Sequence, residues 1–260
     1  MRIAVVAAVT LALSFVAGEA SAAQCGRDAS GFAAWKQSFA NEARANGVGP
    51  RGIDALMGAN YATATIRADR GLKSFKLSLD QFMAKRGGAT IIARGKGLKK
   101  SNAALFASIE QSYGVPPGPL IAIWGMETGF GAVHGNQDMV SSVATLAYDC
   151  RRPEFFTDQL YAALKLIDKG TLSPRERSSM HGEIGQTQFM PKNVLQYGAG
   201  NLDSSAGALR STANFLRAHG WSAGGGYQPG EANFGAIQAW NDASVYQRAI
   251  ALIGQRIDAE

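Results

Sequence analysis

The sequence predicts a mainly α-helical protein, and three observations carry that prediction. Alanine is abundant and β-branched runs are few, which favours helix over strand. Apolar residues recur at helical spacing in several segments that end on glycine. No long stretch alternates apolar and polar residues as a half-buried strand would.

The first segment stands apart from the fold. Arg2 supplies a short positive region, residues 3–17 an apolar run, and Ala20, Ser21 and Ala22 an A-x-A cleavage signal. The run is short for a membrane span. The expectation is therefore an export signal over residues 1–22 and a periplasmic domain over residues 23–260. No integral membrane segment is expected after cleavage. Gln24 precedes Cys25 where a lipid-bearing cysteine usually follows a small residue, so no lipid anchor is expected.

Residues 31–47 then place Phe32, Trp35, Phe39 and Ala43 on one helical face and stop at Gly47. Residues 74–86 bring Phe75, Leu79, Phe82 and Met83 together in the same way. Residues 101–115 have Ser101 as a cap, Leu105 and Ile109 inside and Gly114 as a stop. Pro116, Pro117 and Pro119 suit a turn and a helix start. That helix runs through Trp124 and carries Glu127 near its C-terminal end. Residues 153–170, 204–221 and 243–257 read as three more amphipathic helices, the second with Leu209, Ala213 and Leu216 inward. Glycine-rich loops are expected over 170–185 and 220–235.

Composition narrows the class. With 260 residues, 46% of them hydrophobic, the chain can bury a sizeable core in one domain. Charged residues make up 18%, which excludes wholesale disorder. Net charge is +6, and removal of residues 1–22 takes out one Arg and one Glu and leaves it unchanged. A basic exported protein is drawn to anionic polymers by an attraction that salt weakens. No nucleic-acid motif is visible, and a carboxylate-rich wall polymer fits an exported chain better than nucleic acid. Two cysteines, Cys25 and Cys150, suggest one disulfide in such a compartment, two free thiols being the other reading.

Three stretches carry chemistry. In LIAIWGMETGFG, an apolar run leads into Glu127, with Gly125, Gly129 and Gly131 close by. A carboxylic acid against a dry wall keeps its proton to higher pH and can protonate a leaving oxygen near neutrality. The glycines leave room for a bulky chain. In GEIGQTQFMP, Gln186 and Gln188 can each donate and accept hydrogen bonds, which suits sugar hydroxyls and acetamido groups. In QAWNDASVY, Trp240 offers an aromatic face and Asn241 an amide. Each stretch alone also reads as ordinary packing, capping or turn structure.

Together, in this order and spacing, the three stretches resemble the bacterial lytic murein transglycosylases, in particular the membrane-bound lytic transglycosylase B branch and its soluble relatives. The resemblance runs from about Phe32 to about Ile257 and includes VATLAYDCRRPEFF and RSTANFLRAHGW. It implies a lysozyme-like catalytic core with an additional helical region, acting on peptidoglycan glycan strands without a cofactor. The implied reaction cleaves the β-1,4 bond between N-acetylmuramic acid and N-acetylglucosamine and forms 1,6-anhydromuramic acid. The family's single catalytic acid matches Glu127. Its second motif matches Gly185 and Gln188, leading into Phe189, Met190 and Pro191. Its aromatic–Asn pair matches Trp240 and Asn241, and its paired arginines match Arg151 and Arg152, which would meet stem-peptide carboxylates.

The branch can carry a calcium loop after its second motif. Here residues 193–210 hold one acid, Asp203, so no metal is expected. Most glycosidases use two carboxylates. Asp138 and Asp149 lie in segments after the Glu127 helix, and Glu183 is the contender for a second acid. Two other readings stay open: a muramidase that uses water, and a peptidoglycan-binding protein without turnover.

Overall fold

The computed structural model describes residues 24–71 and 77–259. The expected export signal lies outside the described residues, as do Ser74 and Phe75 of the helix read over 74–86. Among the described residues the chain forms thirteen α-helices and one two-stranded antiparallel ribbon.

One group of helices packs around α9 (Pro153–Asp168): α1 (Phe32–Ala45), α2 (Pro50–Gly58), α3 (Thr63–Arg70), α8 (Met139–Tyr148) and α10 (Pro191–Tyr197). Its centre is α8, every residue of which is buried. Phe32, Trp35 and Phe39 of α1 stack in succession and meet Tyr148 of α8 and Tyr161 of α9. Cys25 is bridged to Cys150, so the one-disulfide reading holds and a 125-residue span of chain is closed.

A second group packs around α7 (Pro117–Thr128) and α13 (Ser244–Asp258). It contains α4 (Leu79–Arg86), α5 (Gly88–Ser101), α6 (Ala103–Tyr113), α11 (Ser205–Ala218) and α12 (Phe234–Trp240). Pro117 starts α7 because its missing N–H would be unpaired there in any case. Asp258 at the far end of α13 accepts the Gly118 N–H at 2.8 Å. A Cβ on Gly118 would lie 2.3 Å from Gly254 O, so glycine lets the two helices touch. The two groups share one hydrophobic core, and α10 packs on both α9 and α11.

Two boundaries differ from the sequence reading. Ser101 ends α5 and Asn102 precedes α6, because the two helices follow almost without a break. The start of α4 is set by a capping box between Ser78 and Gln81.

Two segments cross between the groups, residues 129–138 after α7 and residues 169–190 before α10. They are tied by β1 (Gln137–Asp138) and β2 (Arg177–Ser178), paired Gln137 with Ser178 and Asp138 with Arg177. A Cβ on Gly135 would fall 2.0 Å from Ser178 O, so the two turns lie in direct contact.

Candidate active site

Glu127 sits in the last turn of α7, where the helix dipole disfavours a negative charge. Gly129 stops the helix in a left-handed conformation, φ 58°, and the Phe130 N–H returns to Trp124 O. Phe130 is itself left-handed, φ 65°, a conformation that costs a non-glycine residue free energy. Its ring is held edge-on to Trp124, with the Arg94 guanidinium 4.9 Å from its centroid.

The GQTQF stretch is fastened to this helix end. Thr128 Oγ1 donates to Gln186 O at 2.6 Å and accepts from the Gly131 N–H at 2.9 Å. Trp124 Nε1 donates to Gln186 Oε1 at 2.9 Å, and Gln186 Nε2 donates to Asp203 O. Ile184 and Phe189 pair through both of their main-chain groups, so the residues between them form a closed turn. Gly185 is left-handed, φ 72°, and a Cβ there would meet Leu202 O at 2.7 Å. Gln188 is also left-handed, φ 54°.

The α12–α13 junction completes the site. Tyr246 Oη donates to Glu127 Oε1 at 2.6 Å, and Trp240 Nε1 donates to the same oxygen at 3.3 Å. Both donors reach Oε1, which leaves Oε2 as the natural seat of a proton. Asn241 Oδ1 accepts the Ala243 N–H, and its main-chain oxygen accepts from Gln247. Asn241 thus shapes the turn that delivers Trp240 and Tyr246 to the carboxyl group.

Electrostatics keep Glu127 protonated. Burial of the carboxyl group is the largest cause, raising its pKa from an ordinary 4.5 to about 7. The Tyr246 and Trp240 hydrogen bonds oppose the rise, the negative charge of Glu183 adds to it, and Arg86 opposes it. The residue still lines a cavity of about 340 Å3 together with Gln188, Ser179 and Gln137. A second cavity, about 450 Å3, shares Gln188, His134 and Gly135 with the first and is lined by Glu183, Glu176 and Asp203. Glu183 accepts a hydrogen bond from Ser179 Oγ.

The structure places Gln188 and Trp240 beside Glu127, with Gly185 in the turn that carries Gln188 and Asn241 in the turn that follows Trp240. Phe189 turns inward: it is 1% exposed, and its ring packs edge-on against Trp240 and Phe215. Met190 is partly buried against the core at the start of α10. Gln186 has both ends of its amide engaged within the protein. Arg151 and Arg152 both bind the buried carboxylate of Asp69, although about two fifths of each side chain stays exposed. Burial alone would raise the Asp69 carboxyl, but the two guanidinium groups outweigh it and hold its pKa below the usual range. Tyr246 was missed as a site residue. The signal is a polar-tipped aromatic at the head of a helix whose inward face further along carries Ile250, Ile253 and Ile257.

A buried acid backed by Trp240 and Tyr246 on a mainly helical frame marks the lysozyme-like class of protein. The chain belongs to the transglycosylase SLT domain family, whose model matches residues 31–229. Membrane-bound lytic murein transglycosylase B of Escherichia coli (strain K12) is 36% identical over 123 residues, 44% of this chain and 34% of that protein. The match therefore spans about a third of that relative. SltB3 of Pseudomonas aeruginosa, solved in complex with NAG-anhNAM-pentapeptide, superposes with a TM-score of 0.80 at 26% identity. That match covers 87% of this chain and 79% of SltB3. Escherichia coli Slt35, solved in complex with bulgecin A, shares the fold at a TM-score of 0.76 and 22% identity, over 91% and 96% of the two chains. Among the described residues no helix is long and apolar enough to cross a membrane.

Proposed function

We propose that the protein is a peptidoglycan lytic transglycosylase with Glu127 as its catalytic acid and base. The observation that carries this reading is the Glu127 carboxyl itself, held protonated to about pH 7 at the wall of a cleft. Family membership and the likeness to SltB3 support it.

In the first step neutral Glu127 gives its proton to the glycosidic oxygen, and the C1–O bond breaks. The 2-acetamido group stabilises the developing cation at C1. Tyr246 and Trp240 then stabilise the new carboxylate through the bonds they already make to Oε1. In the second step the carboxylate takes the proton from the C6 hydroxyl of the same sugar, and O6 closes on C1. No water is consumed, and Glu127 ends protonated as it began. Gln188 lines the cleft beside Glu127; its Nε2 donates to Gly185 O at 2.9 Å, and its Oε1 meets the glycan. Trp240 holds Glu127 from behind, and Asn241 keeps the turn that presents it. The exposed faces of Arg151 and Arg152 lie open to stem-peptide carboxylates.

A periplasmic location and an export signal ending at Ala22 belong to the same proposal. The Cys25–Cys150 bridge supports an oxidising compartment. Clearing of purified sacculi tests the assignment. Wild-type protein clears them, and Glu127→Gln binds glycan without clearing, because an amide cannot cycle a proton. Clearing by that variant at the wild-type rate refutes the role of Glu127.

A further inference from the structure

Arg86 is the last residue of α4, and Gly87 ends the helix there in a left-handed conformation, φ 68°. A cation in the last turn meets the helix dipole favourably, and Lys85 does so as well as Arg86. That role fits both residues, but only Arg86 reaches towards the site. Its guanidinium stands over two rings, 5.6 Å from the centroid of Phe82 and 5.9 Å from that of Tyr246. The two rings are buried and meet edge to face at 5.8 Å. Among the described residues Lys85 lies over no ring.

A line of contacts thus runs from the exposed Arg86 to the reacting group. Arg86 lies on the Tyr246 ring, and the Tyr246 hydroxyl donates to Glu127 Oε1 at 2.6 Å. A cation on a ring face draws electron density from the ring, and a phenol so polarised donates its O–H more strongly. The bond is strongest to ionised Glu127, the state formed when the glycosidic bond breaks. Glu183, from the turn before α10, is the facing charge that acts against this carboxylate. Arg94 of α5 rests its guanidinium on the Phe130 ring instead. Burial raises the pKa of Glu127 and of Tyr246, and the charge of Arg86 opposes both rises.

We infer that Arg86 is a positioning residue of the reaction, its charge acting through Tyr246 to strengthen the hydrogen bond that holds the Glu127 carboxylate. Arg86 does not line the cavity at Glu127, so its loss acts on kcat and leaves KM in place. The inference rests on Glu127 being the catalytic acid.

The test measures kcat and KM on purified glycan strands from about pH 4 to about pH 9. Arg86→Gln keeps a long polar side chain at an exposed position and removes the charge. It should lower kcat about fivefold at unchanged KM. It should also move the basic limb of the kcat/KM profile to higher pH. Arg86→Lys keeps the charge and should recover most of both effects, and Lys85→Gln should match the wild type. In Tyr246→Phe protein, Arg86→Gln should cost little more, because the hydroxyl it acts on is gone. Losses that multiply in the double variant, or an unmoved basic limb in Arg86→Gln, overturn the inference alone. So does an equal loss in Arg86→Lys or Lys85→Gln. Cleavage of the strands by Glu127→Gln at the wild-type rate overturns it together with the proposed function.

Discussion

The hydroxyl of Tyr246 donates a hydrogen bond to Glu127 Oε1 at 2.6 Å, joining residues 119 positions apart in the chain. This contact makes the end of α7 and the start of α13 one chemical unit. It also holds the Glu127 pKa lower than burial alone would set it. Tyr246→Phe should therefore raise that pKa and move the basic limb of the pH–kcat/KM profile to higher pH. It should also lower kcat by roughly ten- to a hundredfold, since the carboxylate formed in the first step loses a charge-assisted donor. An unchanged pH profile would remove Tyr246 from the account.

The raised pKa of Glu127 has a consequence for stability. Unfolded Glu127 loses its proton near 4.5, whereas folded Glu127 keeps it to about 7. Between those values the native state binds the extra proton, so stability falls as pH rises, by about 3 kcal/mol at most, and levels off above 7. Glu127→Gln does not titrate and lacks this loss. Urea unfolding from pH 4 to 8 should show the variant gaining on the wild type through that window. Parallel curves would contradict a buried, protonated carboxyl.

Phe189 and Gln188 are neighbours with opposite roles. Phe189→Ala empties a buried site and should cost about 3–5 kcal/mol in urea unfolding. Gln188→Gly relieves a left-handed non-glycine residue and should gain about 1 kcal/mol. The same change removes an amide from the cleft, so KM for glycan should rise. A Gln188→Gly protein with unaltered KM would take that amide out of binding.

The disulfide anchors the chain where Asp149 pairs with Arg70 and accepts the Arg151 N–H. Replacing Cys25 and Cys150 by serine should cost about 2–5 kcal/mol, chiefly by freeing a long loop in the unfolded chain. Matched unfolding curves for the two proteins would show the bridge to be neutral.

Much of this was legible in the sequence because local rules and the fold agreed. The prolines before α7, its apolar run and Gly129 mark a helix that ends beside Glu127. The amphipathic faces of α9, α11 and α13 announce themselves by period. Helix α5 did not, because Gly88, Gly95 and Gly97 interrupt it. Gly95 is there for packing: a Cβ would meet Ile257 and Ile121 at 2.7 and 2.8 Å. Helix α8 has no polar face to read, since it is buried on all sides. Its Ser141 and Thr145 hydroxyls accept the N–H groups of Asn60 and Ala62. Within the site, residue types were readable and partners were not. Gln186 looks as suited to sugar as Gln188 until Trp124 and Asp203 are seen to occupy both ends of its amide, whereas Gln188 spends only its Nε2, on Gly185 O.

The central claim is that Glu127 alone supplies the proton and takes one back, with the C6 hydroxyl as nucleophile. That hydroxyl is tethered to the reacting ring, so its effective concentration exceeds that of a free nucleophile. Mass spectrometry of muropeptides released from purified sacculi, before and after borohydride, tests this most directly. The account predicts products ending in 1,6-anhydro-N-acetylmuramic acid, lighter by one water than hydrolysis products and unchanged by borohydride. Products ending mainly in reducible muramic acid would contradict it and would make Glu183, which lines the adjoining cavity with Gln188, the first candidate for a base that activates water.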